Sequence, residues 1–109
     1  MAKLKIERDK RRTPRVSISA GVWVAWHSSG TRYVSRVRDL SAGGLFVSTP
    51  SPVPVGTQVN LLFSLPEGEV KAQAVVRNSL PGEGMGVEFV QMEGASRERL
   101  YEVLKRLMS

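Results

Sequence analysis

Residues 57–78 read TQVNLLFSLPEGEVKAQAVVRN. In the first half, Val59, Leu61, Phe63 and Leu65 recur at every second position. In the second half, Val70, Ala72, Ala74 and Val76 do the same. A period of two places each set on one face of a β-strand. Between them Pro66-Glu67-Gly68-Glu69 is a turn, since proline pre-sets the backbone bend and glycine tolerates positive φ. Two one-faced strands joined by so short a turn form an antiparallel hairpin, and this sets the class of fold.

The same reading extends in both directions. Upstream, PSPVPVG (50–56) holds three prolines in seven residues. Each proline removes a ladder donor, so this segment is a loop. LFVST (45–49) is a short strand before it. TRYVSRVR (31–38) is a more polar strand, with Val34, Arg36 and Arg38 on one face. VSISAGVWVAW (16–26) alternates through Val16, Ile18, Ala20, Val22, Val24 and Trp26, and HSSG (27–30) turns after it. Downstream, SLPGEG (79–84) turns into MGVEFVQM (85–92), with Met85, Val87 and Phe89 on one face.

The period changes at the end. Leu100, Val103, Leu104, Leu107 and Met108 follow the stripe of an amphipathic helix, placed here over residues 96–108. Ser96 is the expected N-cap, with Glu98 in the first turn and Lys105 and Arg106 in the last. The chain is therefore expected to be all-β with one terminal helix: a six-stranded antiparallel β-barrel plus a C-terminal α-helix. Closure into a barrel removes the exposed strand edges that a small sheet would carry. The helix is expected to close one end or to pack on one side.

The chain has 109 residues, suited to one small domain, and its 41% hydrophobic and 24% charged content is that of a globular one. No stretch has the length of a membrane span, and no leader peptide is visible. Cysteine is absent, which rules out disulfides and thiolate ligands and suits a cytoplasmic location. The formal net charge is +6. Residues 1–15 carry Lys3, Lys5, Lys10 and four arginines against Glu7 and Asp9, so nearly all of the excess is local. The division that follows is a flexible basic arm over 1–15 and a single domain over 16–109. Such an arm expects an anionic partner.

The residues argue against an enzyme. His27 is the one histidine and reads as a turn residue. The carboxylates are scattered, with Glu67 and Glu69 at a hairpin tip and Glu83 in a turn, and no metal-ligand spacing occurs. The glycines of GEGMGVEF fall between two strands rather than before a helix, so they are no dinucleotide fingerprint.

Two segments remain. RRTPRV (11–16) sets Arg11 and Arg15 four residues apart with Arg12 between, and DLSAGG (39–44) joins two strands. Arginine's planar fork binds phosphate or the O6/N7 edge of guanine and stacks on purines. A carboxylate accepts from guanine's N1–H and N2–H₂. A serine hydroxyl adds an adjustable contact, and glycine lets backbone come close. The plainer reading of DLSAGG is a tight turn, and that of the arginines a solvated tail.

Together, Arg11-x-x-x-Arg15 and Asp39-x-Ser41-x-x-Gly44 resemble the signature of the PilZ domain family, written RxxxR and (D/N)xSxxG. The resemblance extends to the barrel, to GMGVEF in the last strand and to the closing helix. It implies a receptor for cyclic di-GMP, with no cofactor, whose arginine arm wraps over ligand held on the barrel. It implies ligand contacts from Arg11, Arg12, Arg15, Asp39, Ser41 and Gly44. Lys10, Gly43 and Arg38 are further candidates, Gly43 more as a turn requirement. In the family the position of Lys10 bears on whether one ligand or an intercalated pair binds, and a basic residue would tolerate the pair. Output would pass to a downstream protein partner. Two other readings are a basic barrel that binds nucleic acid through Trp23, Trp26, Tyr33 and Phe46, and a degenerate family member that binds only protein.

Overall fold

Alternation also determines which side of each strand turns inward, and the ring of strands follows from it. The structure, a computed structural model, describes residues 16–17 and 22–108. They form β1 (Val16–Ser17), β2 (Trp23–Ser28), β3 (Thr31–Leu40), β4 (Gly44–Ser48), β5 (Gln58–Leu65), β6 (Gly68–Leu80), β7 (Gly84–Met92) and α1 (Gly94–Met108). Every pairing is antiparallel. The order β3-β2-β5-β6-β7-β4 returns to its start because β4 pairs with β3, so six strands close a barrel. β1 is a seventh, short strand laid against the end of β3.

The register turns whole rows inward. Leu40, Leu45, Val87 and Val76 lie side by side across β3, β4, β7 and β6, and all are buried. The hairpin of residues 57–78 behaves as its alternation predicts. Val59, Leu61, Phe63, Val70, Ala72, Ala74 and Val76 are buried, and Leu65 is half-buried next to the turn. Trp26 and Phe63 are the largest side chains in the core. The Trp26 indole N–H donates to Ser35 Oγ at 3.0 Å, which satisfies its one polar atom inside the barrel. Tyr33 stacks on the same ring, with centroids 4.2 Å apart.

Several local expectations are corrected. The segment read as one strand over 16–26 is described as β1 and β2, with residues 18–21 outside the described residues. His27 is not in a turn but within β2, exposed on the outer face. The helix begins at Gly94, where the Arg97 N–H donates to the Glu93 carbonyl at 2.9 Å. Glu93 therefore stands at the N-cap, and Glu98 lies beyond the first turn, which holds no acid. Ser96 is buried instead, its Oγ accepting from the Lys71 N–H at 3.1 Å and so tying α1 to β6. The helix packs against β6 and sends Leu100, Val103 and Leu104 into the core, whereas Met108 is exposed. Arg106, in the last turn, forms a two-pronged hydrogen-bonded pair with Glu67 in the β5–β6 hairpin.

Candidate functional site

The segment DLSAGG is shaped by two devices. The first is a bulge in β3. Val37 pairs with Val47 and Asp39 with Phe46, so Arg38 is an extra residue between them. Without it, strict alternation would turn Asp39 inward and Leu40 outward. With it, Leu40 enters the core, while Arg38 is exposed and Asp39 half-buried.

The second device is the turn from β3 into β4. Ser41 is buried, and its hydroxyl accepts from the N–H groups of Gly43 and Gly44, each at 3.2 Å. The same hydroxyl lies 3.3 Å from the Gly44 carbonyl, which also accepts from the Ser41 N–H at 2.8 Å. One side chain thus satisfies the amides that a tight turn leaves without partners. Gly44 is required by a close approach of chains. A Cβ there would stand 2.0 Å from the Val87 carbonyl oxygen of β7. Gly43 remains exposed, and its carbonyl accepts from the Phe89 N–H at 2.8 Å. The turn is thereby fastened to β7.

The outer face beside this turn carries one aromatic ring, that of Phe46. Asp39, Phe46, Gly86 and Asn78 form one register row across β3, β4, β7 and β6. The Phe46 ring is covered, with Arg38 above it at 3.8 Å from its centroid. Gly84 makes room for it: a Cβ there would stand 2.6 Å from the ring and 2.1 Å from the Val47 carbonyl. Phe46 was the residue whose place at this site the sequence did not show. Its neighbours GMG in β7 were the available signal, because glycines facing outward leave space for a ring on the next strand.

The described part of the site therefore joins Arg38, Asp39, Phe46 and the Ser41–Gly44 turn. Lys10, Arg11, Arg12 and Arg15 lie outside the described residues. Val16 follows Arg15 in the sequence. Val16 pairs with Leu40 and Ser17 with Asp39.

Chemically, the arrangement offers a cation on an aromatic plane beside a carboxylate, which suits recognition of a planar ligand. Among the described residues no group of His, Asp and Glu is placed to hold a metal ion. No described helix is long and apolar enough to cross a membrane. A base-stacking platform has little support here. Trp26 is buried and Phe46 covered, which leaves Trp23 and Tyr33 as the exposed aromatics of the four.

The family model described as "PilZ domain" matches residues 9–106. No curated protein sequence matches the chain. Among solved structures, the inhibitor of motility MotI/DgrA of Bacillus subtilis is similar at a TM-score of 0.73 and 20% identity, over 91% of this chain and 52% of that one. MrkH of K. pneumonia in complex with c-di-GMP is similar at 0.72 and 20%, over 90% and 51%. The PilZ domain of YcgR from Escherichia coli, with c-di-GMP, is similar at 0.69 and 15%, over 91% and 92%. The chain spans about half the length of the MotI and MrkH chains and nearly all of the YcgR domain.

Proposed function

Because the chain belongs to the PilZ domain family, we propose that it is a non-catalytic receptor for cyclic di-GMP that passes its signal to a protein partner. In this reading the basic arm (1–15) and the barrel (16–109) are two halves of one site. The observation that carries it is the pairing of Val16 with Leu40 and Ser17 with Asp39. That register supports a site in which the two motifs meet at one end of β3. Support also comes from fold neighbours whose own structures hold c-di-GMP.

The roles follow from the chemistry. Arg11 and Arg15 grip guanine and phosphate with their bidentate forks, helped by Arg12. Asp39 accepts from the guanine N1–H and N2–H₂ edge. Arg38 stacks from the barrel side. Ser41, Gly43 and Gly44 act by holding the turn in shape, since the amide and carbonyl of Gly43 are taken by Ser41 and Phe89. The two phosphates neutralise the charge concentrated in residues 1–15 and draw the arm onto the barrel. The altered surface is the signal. Lys10 adds a cation that favours two stacked ligands in the site.

Isothermal titration with cyclic di-GMP tests this reading on the wild-type chain, Arg15→Ala and Asp39→Ala. Binding at micromolar Kd or tighter, lost in both variants, is the expected result. A folded wild-type chain that gives no heat overturns it. A ratio of one ligand per chain at saturation overturns the stacked pair.

A further inference from the structure

Antiparallel barrels turn polar side chains outward. Across β3, β2 and β5 the outer face breaks that rule. Val34 lies directly opposite Ala25, and Ala25 directly opposite Leu62, so the three form one apolar row. Trp23 is two residues from Ala25 on the same face. Trp23 is 53% exposed and Val34 65% exposed.

The row lies where the barrel wall opens. β2 pairs with β5 only through Ala25–His27 and Asn60–Leu62, whereas β5 pairs with β6 along its whole length. Beyond Ala25 the strands part, and Val22, Trp23, Leu65 and Pro66 line a recess of about 510 Å³. A second recess of about 440 Å³ shares Ala25 and Leu62 with it and continues past Arg32 and Lys71. The two make one groove.

Its lining mixes apolar Ala25, Leu62 and Leu65 with neutral polar Asn60, Gln73 and Gln91, and its rim is cationic. Arg32 and Lys71 line it, and Arg36 stands 5.7 Å from the centroid of the Trp23 ring. Arg106 borders the recess with its charge matched by Glu67. Glu93 is the one carboxylate among the described lining residues. An exposed apolar patch that includes a tryptophan with arginine beside it has the composition of an interaction hot spot. The rim attracts acid.

We infer that this groove docks an acidic amphipathic segment of a partner protein, its apolar side chains on Trp23, Ala25, Val34 and Leu62 and its carboxylates on Arg32, Arg36 and Lys71. Val34 is five residues from Asp39 along β3, about 16 Å at the ordinary strand rise. The groove and the signature turn therefore lie apart along the outer face of one strand, with Arg36 and Arg38 between Val34 and Asp39. The inference rests on the proposed output through a partner, and its test uses no nucleotide, so that either reading can fail alone.

The test is selection of a random dodecapeptide phage library on the full chain, with counter-selection on a Trp23→Ala/Val34→Asp double variant. Both side chains are exposed, and thermal melts of the variant monitored by circular dichroism verify that it is folded. The expected outcome is enrichment of peptides that combine Asp or Glu with bulky apolar residues. A synthetic copy of the leading peptide should bind Trp23→Ala and Arg32→Glu chains roughly ten-fold more weakly than wild type. Failure to enrich, enrichment of basic peptides, or equal binding by the variants overturns the inference. So does a wild-type dimer in sedimentation that Val34→Asp dissociates, because the groove would then belong to a second copy. A chain that binds the peptide but gives no heat with cyclic di-GMP sinks the receptor reading and leaves this one standing.

Discussion

The guanidinium of Arg38 lies over the ring of Phe46, 3.8 Å from its centroid. The contact exists because alternation along β3 turns Arg38 outward, because the bulge there brings Asp39 rather than Arg38 opposite Phe46, and because Gly84 leaves space beneath the ring. A guanidinium held on an aromatic plane is pre-organised and loses less freedom when a ligand arrives. Replacing Arg38 with Ala should weaken binding of cyclic di-GMP by roughly three- to ten-fold. Arg38→Lys should not restore it, since an ammonium neither stacks nor forms a fork. Titration calorimetry of the two variants measures both, and unchanged affinity in Arg38→Ala assigns this arginine to solvent.

Ser41 and Gly44 should behave as parts of the fold first. Ser41→Ala leaves the buried Gly44 amide and the Gly43 amide without their acceptor, a loss of about 1–3 kcal/mol in urea unfolding. Gly44→Ala forces a methyl group against the Val87 carbonyl and should cost about as much or more by separating β4 from β7. A Ser41→Ala chain with wild-type stability would show that the hydroxyl does not hold the turn.

The Glu67–Arg106 pair predicts a small acid sensitivity. The hydrogen bonds from Arg106 hold the Glu67 carboxyl below the usual carboxylate range, and the pair raises Arg106 in turn. A carboxyl lowered on folding stabilises the fold above its unfolded pKa, about 4.3, and loses that contribution as pH falls through the lowered value. Glu67→Gln should therefore reduce Tm slightly at neutral pH, with the difference from wild type closing below about pH 4. Added salt should shrink the neutral-pH difference, since Arg106 is exposed. Tm curves for both chains from neutral to acid pH decide it. A difference that widens on acidification contradicts this assignment.

The two tryptophans should report separately. Trp26 is fully buried and Trp23 is 53% exposed. Iodide should quench one emission component and spare a blue-shifted one. Trp23→Phe should abolish the quenchable component and leave the other in place. Quenching that persists in Trp23→Phe would show that Trp26 is open to solvent.

Local periodicity carries much of the fold because it is a property of neighbours along one chain. The hairpin of residues 57–78, the strands flanking it and the helix stripe at Leu100, Val103 and Leu104 are all readable from sequence. So is the concentration of charge in residues 1–15. The pair of motifs could be read too, because each is contiguous. Other features depend on a partner strand that sequence alone does not supply. A bulge such as the one at Arg38 is a mismatch of register between β3 and β4, and no pattern within β3 marks it. Phe46 points outward on its strand and is nonetheless covered, because Arg38 and the glycine gap in β7 enclose it. Ser96 looked like a cap but is taken by the Lys71 amide of β6, so the helix starts earlier. Val34 was visible on one face with Arg36 and Arg38. Its union with Ala25 and Leu62 required the closed ring. A sequence determines the faces of its own elements, because alternation and helical stripe are short-range. The surface those faces compose is decided by register and closure, which only the packed barrel sets.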